Sequence, residues 1–131
     1  MVTLDASALV ALLAARDAYH DRMRRLLLTE RPPYLIPEPV LAELAYLIET
    51  RAGAHVMDHI LADAEVVAWV LAPPAPYLGR IRQLASPHAD LPLGVLDASE
   101  AAVAEEHGGR LLSPNGPFQV VAAEGRIEVV A

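Results

Sequence analysis

The most constraining feature of this sequence is its opening, where a short apolar run ends at an acid and passes at once into an apolar helical segment. Val2–Leu4 predicts a strand that ends at Asp5, and residues 8–13 predict a buried helix. Either Asp5 or Ser7 is suited to cap the first turn of that helix. A strand that leads directly into a helix is typical of a parallel α/β fold, in which ligands bind beyond the carboxyl ends of the strands.

The rest of the chain continues this alternation. Further strands are predicted at residues 34–36, 66–71, 110–113 and 126–130, the last of them at a sheet edge. Further helices are predicted at residues 17–29, 40–48, 55–64 and 97–107, and between the proline-rich turn at 73–76 and about Ala85. Because no repeat or linker interrupts the pattern, we expect residues 1–131 to form a single α/β domain with three α/β/α layers and a mainly parallel central sheet.

Composition excludes several classes of protein. Hydrophobic residues make up 54% of the chain and charged residues 21%, which excludes a disordered chain. Without cysteine there is no disulfide framework or thiolate metal site, and without lysine there is no Schiff base or Walker-type phosphate loop. No apolar stretch reaches the length of a membrane span, and the first residues do not form a signal peptide. We therefore expect a cytoplasmic protein that does not enter a membrane.

The net charge of −7 is unusual for a protein that binds nucleic acid, because affinity for nucleic acid normally depends on cations that neutralise phosphates. Much of that negative excess is neutralised at one place if Asp5, Glu43, Asp90 and Asp97 converge on a divalent ion. The charge therefore argues against tight, non-specific RNA binding, but it does not exclude a nuclease.

Three acids, Asp5, Glu43 and Asp97, lie where a predicted strand ends or near the start of a predicted helix. Carboxylates suit Mg²⁺ or Mn²⁺ and the metal-assisted hydrolysis of phosphodiesters. Each acid also has a structural alternative. Asp5 could act only as a helix cap, and Glu43 could lie on the polar face of its helix. Asp97 could be an N-cap, with Glu100 as its capping-box partner.

Three segments, in order along the chain, resemble the motifs of the PIN-domain family, and in particular the VapC toxins of bacterial toxin–antitoxin pairs. The first is the run at residues 4–9, where Ser7 follows Asp5 by two positions. The second, residues 37–44, contains Glu43. The third, residues 90–98, contains Asp90 and Asp97, seven residues apart. Together these segments are spread over residues 4–98 of the chain.

The resemblance implies a hydrolase: a metal-dependent endoribonuclease that is the toxin of a toxin–antitoxin pair. It implies that Asp5 and Asp97 bind Mg²⁺ or Mn²⁺, that Glu43 coordinates the ion or orients the attacking water, and that Asp90 is a supporting acid. The partners that it implies are an RNA substrate, a second copy of the chain in a homodimer, and a small antitoxin protein that wraps a groove near the site.

Hydroxyl residues complete the implied site, since Ser7 and Ser113 would position the metal ligands through hydrogen bonds. The family often has a fourth acid a few residues before a phenylalanine, where this chain has Asn115 before Phe118. Asparagine offers a carbonyl oxygen but no negative charge. This departure supports a second hypothesis, namely a catalytically weakened PIN-like binding or scaffold protein that acts through its apolar surface.

Arginines cluster on the predicted helix at residues 17–29. Arg22, Arg24 and Arg25 could guide RNA phosphates towards the acids, although a solvated helix face is an equally good interpretation. The high apolar content exceeds what a small domain easily buries, and exposed apolar faces indicate partner chains.

Overall fold

The sheet is built from five short strands, one of which ends at the first candidate acid. The computed structural model of the protein describes residues 1–66, 69–89, 93–114 and 118–131. Within these ranges the strands are β1 (Val2–Leu4), β2 (Tyr34–Pro37), β3 (Trp69–Ala72), β4 (Arg110–Leu112) and β5 (Glu128–Val130). Their order is β3-β2-β1-β4-β5, and every neighbouring pair is parallel. The parallel arrangement predicted from the sequence is confirmed, and β1 lies at the centre of the sheet.

Seven α-helices connect and cover these strands in the described ranges. They are α1 (Ala6–Leu13), α2 (His20–Thr29), α3 (Glu38–Ala52), α4 (Ala54–Val66), α5 (Leu78–Ala85), α6 (Val95–Glu106) and α7 (Phe118–Ala122). A short 3₁₀ turn, Ala75–Tyr77, precedes α5. None of the helices described is long and apolar enough to cross a membrane.

Several predicted boundaries and one missing element need correction. The helix predicted at residues 17–29 begins only at His20, and the helix predicted at residues 40–48 extends over Glu38–Ala52. The strand predicted at residues 66–71 begins only at Trp69, because α4 continues through Val66. The helix predicted at residues 97–107 begins two residues earlier, at Val95. Helix α7 was not predicted at all. The strand predicted at 126–130 is shorter, but it lies at the sheet edge as expected.

Two hydrophobic cores hold the layers together. Helices α1 to α4 share the first core with β1 and β2, where Leu4, Leu9 and Leu44 are fully buried. Helices α5 to α7 share the second with β4, around Leu111 and Phe118. Burial of one such side chain stabilises the fold by about 1.5–3 kcal/mol. The three-layer α/β/α architecture is confirmed.

Helix α6 lies close to the sheet because the residues that face it are small. Ala98, Ala101, Ala102 and Ala104 are all fully buried, and α6 contacts β1, β2, β4 and α3. The helix ends at two glycines with positive φ, Gly108 and Gly109, of 93° and 76°. The Gly109 amide then donates to the Ala104 carbonyl at 2.7 Å.

The carboxyl ends of the central strands are fixed to one another beyond the strands themselves. The amide of Asp5, just after β1, donates to the carbonyl of Leu112 in β4 at 3.2 Å. The amide of Ser113, just after β4, donates to the carbonyl of Val130 in β5 at 3.1 Å. Asp5 and Ser113 therefore lie side by side at the carboxyl ends of the neighbouring strands β1 and β4.

Candidate functional site

A cavity of about 320 Å³ lies beyond the carboxyl ends of β1 and β4. Five of the residues that line it are acidic: Asp5, Asp17, Glu43, Asp97 and Glu100. Asp5 follows β1, Asp17 precedes α2, Glu43 comes from α3, and α6 contributes the other two. The structure thus brings together the three acids selected from the sequence and adds Glu100, which had been interpreted only as a capping partner, and Asp17, which had not been selected. We call the space around Asp5, Glu43, Asp97 and Glu100 the acidic cavity.

Both oxygens of Asp5 are held by hydrogen bonds. Its Oδ1 accepts from the Ala8 amide at 2.6 Å, which makes Asp5 the N-cap of α1. Its Oδ2 accepts from the Ser113 hydroxyl at 2.5 Å. The side chain is buried, so the cap fixes its direction as well as the start of the helix. Capping and lining the cavity are therefore compatible roles for one carboxylate.

Glu43 presents a carboxylate oxygen that lacks a partner among the described residues. Its Oε2 atom is buried and accepts no hydrogen bond there, although an unpaired buried polar atom normally costs about 1–3 kcal/mol. Along the same helix, Leu47 and Arg51 also line the cavity. Positions spaced by four residues share one helix face, so this face of α3 forms a wall of the cavity.

Asp97 and Glu100 lie in the first two turns of α6. The N-cap of this helix is Gly94, so the predicted capping box of Asp97 and Glu100 is wrong. Instead Glu100 is only 1% exposed, and its Oε1 accepts from the Ala6 amide at 3.3 Å. Their spacing of three residues, which places both on one helix face, was the sequence signal that could have identified Glu100 as a cavity residue.

The crowding of carboxylates changes their proton affinity. Burial raises the pKa of Asp5 to about 6, against the opposing effect of the hydrogen bonds from Ser113 and Ala8. Burial, together with the nearby charges of Asp5 and Asp97, raises the pKa of Glu100 to about 9. Burial also raises the pKa of Asp97. Perturbed acids in one cleft are typical of a functional site.

The donor set of the cavity fits a hard divalent cation. All four acids offer oxygen ligands, the kind that Mg²⁺ and Mn²⁺ prefer, and the buried Glu43 Oε2 is available to bind one. Among the described residues, no three acidic or histidine side chains stand close enough to form a ready-made metal-binding group. Mg²⁺ usually retains several waters and takes only one or two protein carboxylates, so a looser arrangement still suits it.

The two serines selected from the sequence differ in their surroundings. Ser113 is buried and donates to Asp5, as the hypothesis of a positioning role requires. Ser7 is exposed and lines the cavity. Asp90 and Asn115 lie outside the residues that the structure describes.

The arginines near the cavity are distributed differently from the prediction. Arg22, Arg24 and Arg25 are exposed on α2, and Arg22 lines a second cavity that shares Pro114 with the first. Arg51, which was not selected from the sequence, lines the acidic cavity itself. None of the ion pairs between described residues involves Arg51.

Comparison with known proteins agrees with this geometry. The family model of the PIN domain matches residues 2–124. The chain belongs to the PIN-domain family. The family membership predicted from the sequence motifs is thereby confirmed. A comparison with the curated proteins gives no match.

Several solved structures share the fold of this chain. VapC20 of Mycobacterium tuberculosis, described as a sarcin-ricin loop cleaving toxin, is 22% identical with a TM-score of 0.79, over 92% of this chain and 95% of that one. VapBC2 of Rickettsia felis, bound to a DNA fragment from its promoter, is 17% identical with a TM-score of 0.69, over 99% and 98%. FitAcB of Neisseria gonorrhoeae is 16% identical with a TM-score of 0.68, over 100% and 97%.

Proposed function

We propose that this PIN domain is a metal-dependent endoribonuclease and the toxin of a toxin–antitoxin pair. The observation that carries the proposal is the acidic cavity, in which carboxylates from three separate elements meet beyond the carboxyl end of a parallel sheet. The similarity to VapC20, which is itself described as a cleaving toxin, supports the same class of function.

Each acid has a role that follows from its contacts. Asp5 and Asp97 are the proposed Mg²⁺ or Mn²⁺ ligands, and Asp5 is held in place from both sides by Ala8 and Ser113. Glu43, with its free oxygen, coordinates the ion or orients the attacking water. The ion, when bound, supplies Lewis-acid activation of water and phosphate. Ser113 limits the movement of Asp5, which keeps one ligand preorganised.

Arg51 is the proposed contact for the RNA strand. It lies eight residues after Glu43 on α3, a separation of about 12 Å along the helix axis. Because of this distance, we expect Arg51 to contact a phosphate next to the scissile one. A cation at one end of an otherwise acidic cavity also lowers the repulsion between the cavity and RNA. Arg22, beside the second cavity, is a further candidate for the same purpose.

Partner chains are proposed for the apolar surface. On α3 and α4 the side chains of Tyr46, Val56 and Leu61 are exposed, Tyr46 by 69%. Exposed apolar side chains on neighbouring helices are typical of an interface. We infer that a second copy of the chain and an antitoxin protein cover such surfaces, and that the assembly works in the cytoplasm.

Cleavage of RNA by the purified chain tests the proposal, with and without Mg²⁺ or Mn²⁺. Asp5→Asn removes one negative charge, but it keeps a side chain that caps helices well and that can pair with Ser113. We expect this variant to remain folded and to lose cleavage by about 10³-fold, or about 4 kcal/mol of transition-state stabilisation. Asp58→Asn, an exposed acid on α4, is the matched control and should cleave normally.

Cleavage that survives Asp5→Asn, or that needs no divalent ion, would contradict the proposal. The neutral residue Asn115 favours one alternative, a catalytically weakened binding or scaffold protein. That alternative predicts a folded chain that binds its partner but shows no metal-dependent cleavage under any condition.

A further inference from the structure

We propose that the second cavity, which adjoins the acidic cavity, binds the nucleotide next to the scissile phosphate of the RNA. Arg22 holds a phosphate there, and Gln119 forms hydrogen bonds with the edge of the base. The proposal rests on the nuclease function proposed above, and it adds a site for the substrate that is separate from the site for the metal ion.

The two cavities meet at two places. Pro114, just after β4, lines both of them. Tyr19 lines the acidic cavity and Arg22 lines the second, and these two residues lie three positions apart at the start of α2, on one side of that helix. Ser113, in the wall of the second cavity, donates its hydroxyl hydrogen to Oδ2 of Asp5 at 2.5 Å. The second cavity is therefore one side chain away from a proposed metal ligand, so neighbouring nucleotides of one strand can occupy both cavities.

The two cavities differ in charge. Five acidic residues line the acidic cavity, which attracts a cation and, without one, repels a phosphate. The described lining of the second cavity contains no acidic side chain, and its charged side chain is that of Arg22. Arg22 is exposed, and within the described part of the chain it takes part in no ion pair. Its guanidinium group is therefore available to a phosphate, which it can bind through two parallel hydrogen bonds.

The size and lining of the second cavity suit a nucleobase. Its volume is about 310 Å³, at the lower end of the range of about 300–1,000 Å³ for small-molecule sites. Pro114, Val129 and Phe118 supply apolar surface against which the flat body of a base can pack. Gln119, exposed at the start of α7, offers both a carbonyl acceptor and an amide donor to the base edge. Unstacked bases of single-stranded RNA are recognised by this combination of apolar contact and hydrogen bonds.

Binding of a short single-stranded RNA of mixed sequence tests the role of Arg22. Fluorescence anisotropy measures it in the Asp5→Asn background, in which we expect no cleavage to interfere. Arg24 is the matched control, because it is exposed on α2 two positions later, on the other side of the helix, and lines neither cavity. We expect Arg22→Met to weaken binding about fivefold and to lower the dependence of log K on log salt by about 0.7. Arg24→Met should change both much less, and equal effects of the two variants would overturn the role of Arg22.

The base preference of cleavage tests the role of Gln119. Sequencing of the ends that the wild type produces from randomised RNA should show a preferred base at one position beside the cut. Gln119→Leu keeps the size of the side chain but removes its hydrogen bonds, so we expect that preference to fall at least about fivefold. Val120→Ala, an exposed residue of α7 outside the second cavity, should keep it. A wild type without a preference beside the cut, or an unchanged preference in Gln119→Leu, would overturn base recognition by this cavity. Thermal unfolding of every variant checks that the fold is retained.

The two proposals fail in different ways. If the wild type cleaves RNA with Mg²⁺ or Mn²⁺ but Arg22→Met and Gln119→Leu behave as their controls do, only the role of the second cavity is wrong. If the wild type cleaves no RNA, yet Arg22→Met lowers RNA binding more than Arg24→Met does, the nuclease function is wrong and the RNA site stands. If the chain neither cleaves nor binds RNA, both proposals are wrong.

Discussion

Two glutamates on the same helix have opposite electrostatic surroundings. Glu100 and Glu105 lie five residues apart on α6, which places them about 140° apart around the helix axis. The Glu105 side chain, 6% exposed, pairs with Arg80 at 2.8 Å, and Arg80 also pairs with Glu124 at 2.6 Å. Glu100, which is 1% exposed, lines the acidic cavity with other carboxylates instead.

The difference separates a carboxylate that a cation neutralises from one for which the described residues provide no cation. Hydrogen bonds from Arg80 to Glu105 and Glu124 raise the pKa of Arg80 above its ordinary value, so the pair stays charged. Burial and neighbouring acids raise the pKa of Glu100 to about 9, so its charge is unfavourable without a cation. A fold tolerates such a group mainly where function requires it.

The largest effect is expected when the ion pair between Arg80 of α5 and Glu105 of α6 is removed. Arg80→Met leaves Glu105 buried without its cation and should lower the free energy of unfolding by about 2–3 kcal/mol. Arg82 is an exposed arginine on α5, the helix of Arg80. Arg82→Met should change the free energy of unfolding by less than about 0.5 kcal/mol. Urea unfolding of both variants measures the difference. Equal stabilities would show that the Arg80 pair contributes no more than a surface charge.

A smaller effect is expected when Arg51, the arginine that lines the acidic cavity, is replaced. Arg51→Ala should raise the KM for RNA about tenfold, or about 1.4 kcal/mol, with little change in kcat, because its proposed contact is a neighbouring phosphate and not the scissile one. The KM should also depend less steeply on salt. Steady-state kinetics at two salt concentrations, with Arg82→Ala as control, measure both. A fall in kcat alone would place Arg51 at the reacting atoms instead.

The smallest effect concerns the stability of the metal-free protein. Because the pKa of Glu100 rises from about 4.5 to about 9 on folding, the folded state binds the proton more tightly. The stability this contributes is therefore complete below about pH 4.5 and is lost as the pH rises towards 9. Glu100→Gln removes this dependence and should be about 1 kcal/mol more stable than the wild type near pH 7. Melting curves from about pH 5 to pH 8, without divalent ions, should fall less steeply for the variant. An equally steep loss of stability with pH in both proteins would contradict the raised pKa of Glu100.

The fold could be predicted because strand and helix periods alternate clearly along the chain. The predicted strands at 34–36 and 110–113 match β2 and β4 within one residue. The start of β3 was predicted too early, at Val66. Valine is common in strands, and the sequence alone does not show that α4 continues through this residue. Helix α7 was missed because a helix of five residues has too little periodicity to be recognised in a sequence.

Some residues of the site could be predicted from the sequence, whereas others are recognised only from how the helices pack. Asp5, Glu43 and Asp97 were found because the motifs mark them, and the structure brings them together. Glu100 was misinterpreted because its spacing from Asp97 also suits a capping box, and only the packing of α6 against the sheet reveals its burial. Arg51 shares a helix face with Glu43, but the sequence does not state which face of α3 meets the cavity.

The outermost strand gives this protein a way to lose activity that involves no acid. Val130 in β5 holds the Ser113 amide, and Ser113 in turn holds Asp5. The turn that brings the chain to β4 has no room for a side chain, since a methyl group at Gly109 would lie 2.8 Å from the Arg126 carbonyl oxygen. Substitutions in this short C-terminal segment can therefore displace Asp5 and abolish the proposed nuclease activity while every motif remains intact, so motifs alone would overestimate the number of active proteins of this kind.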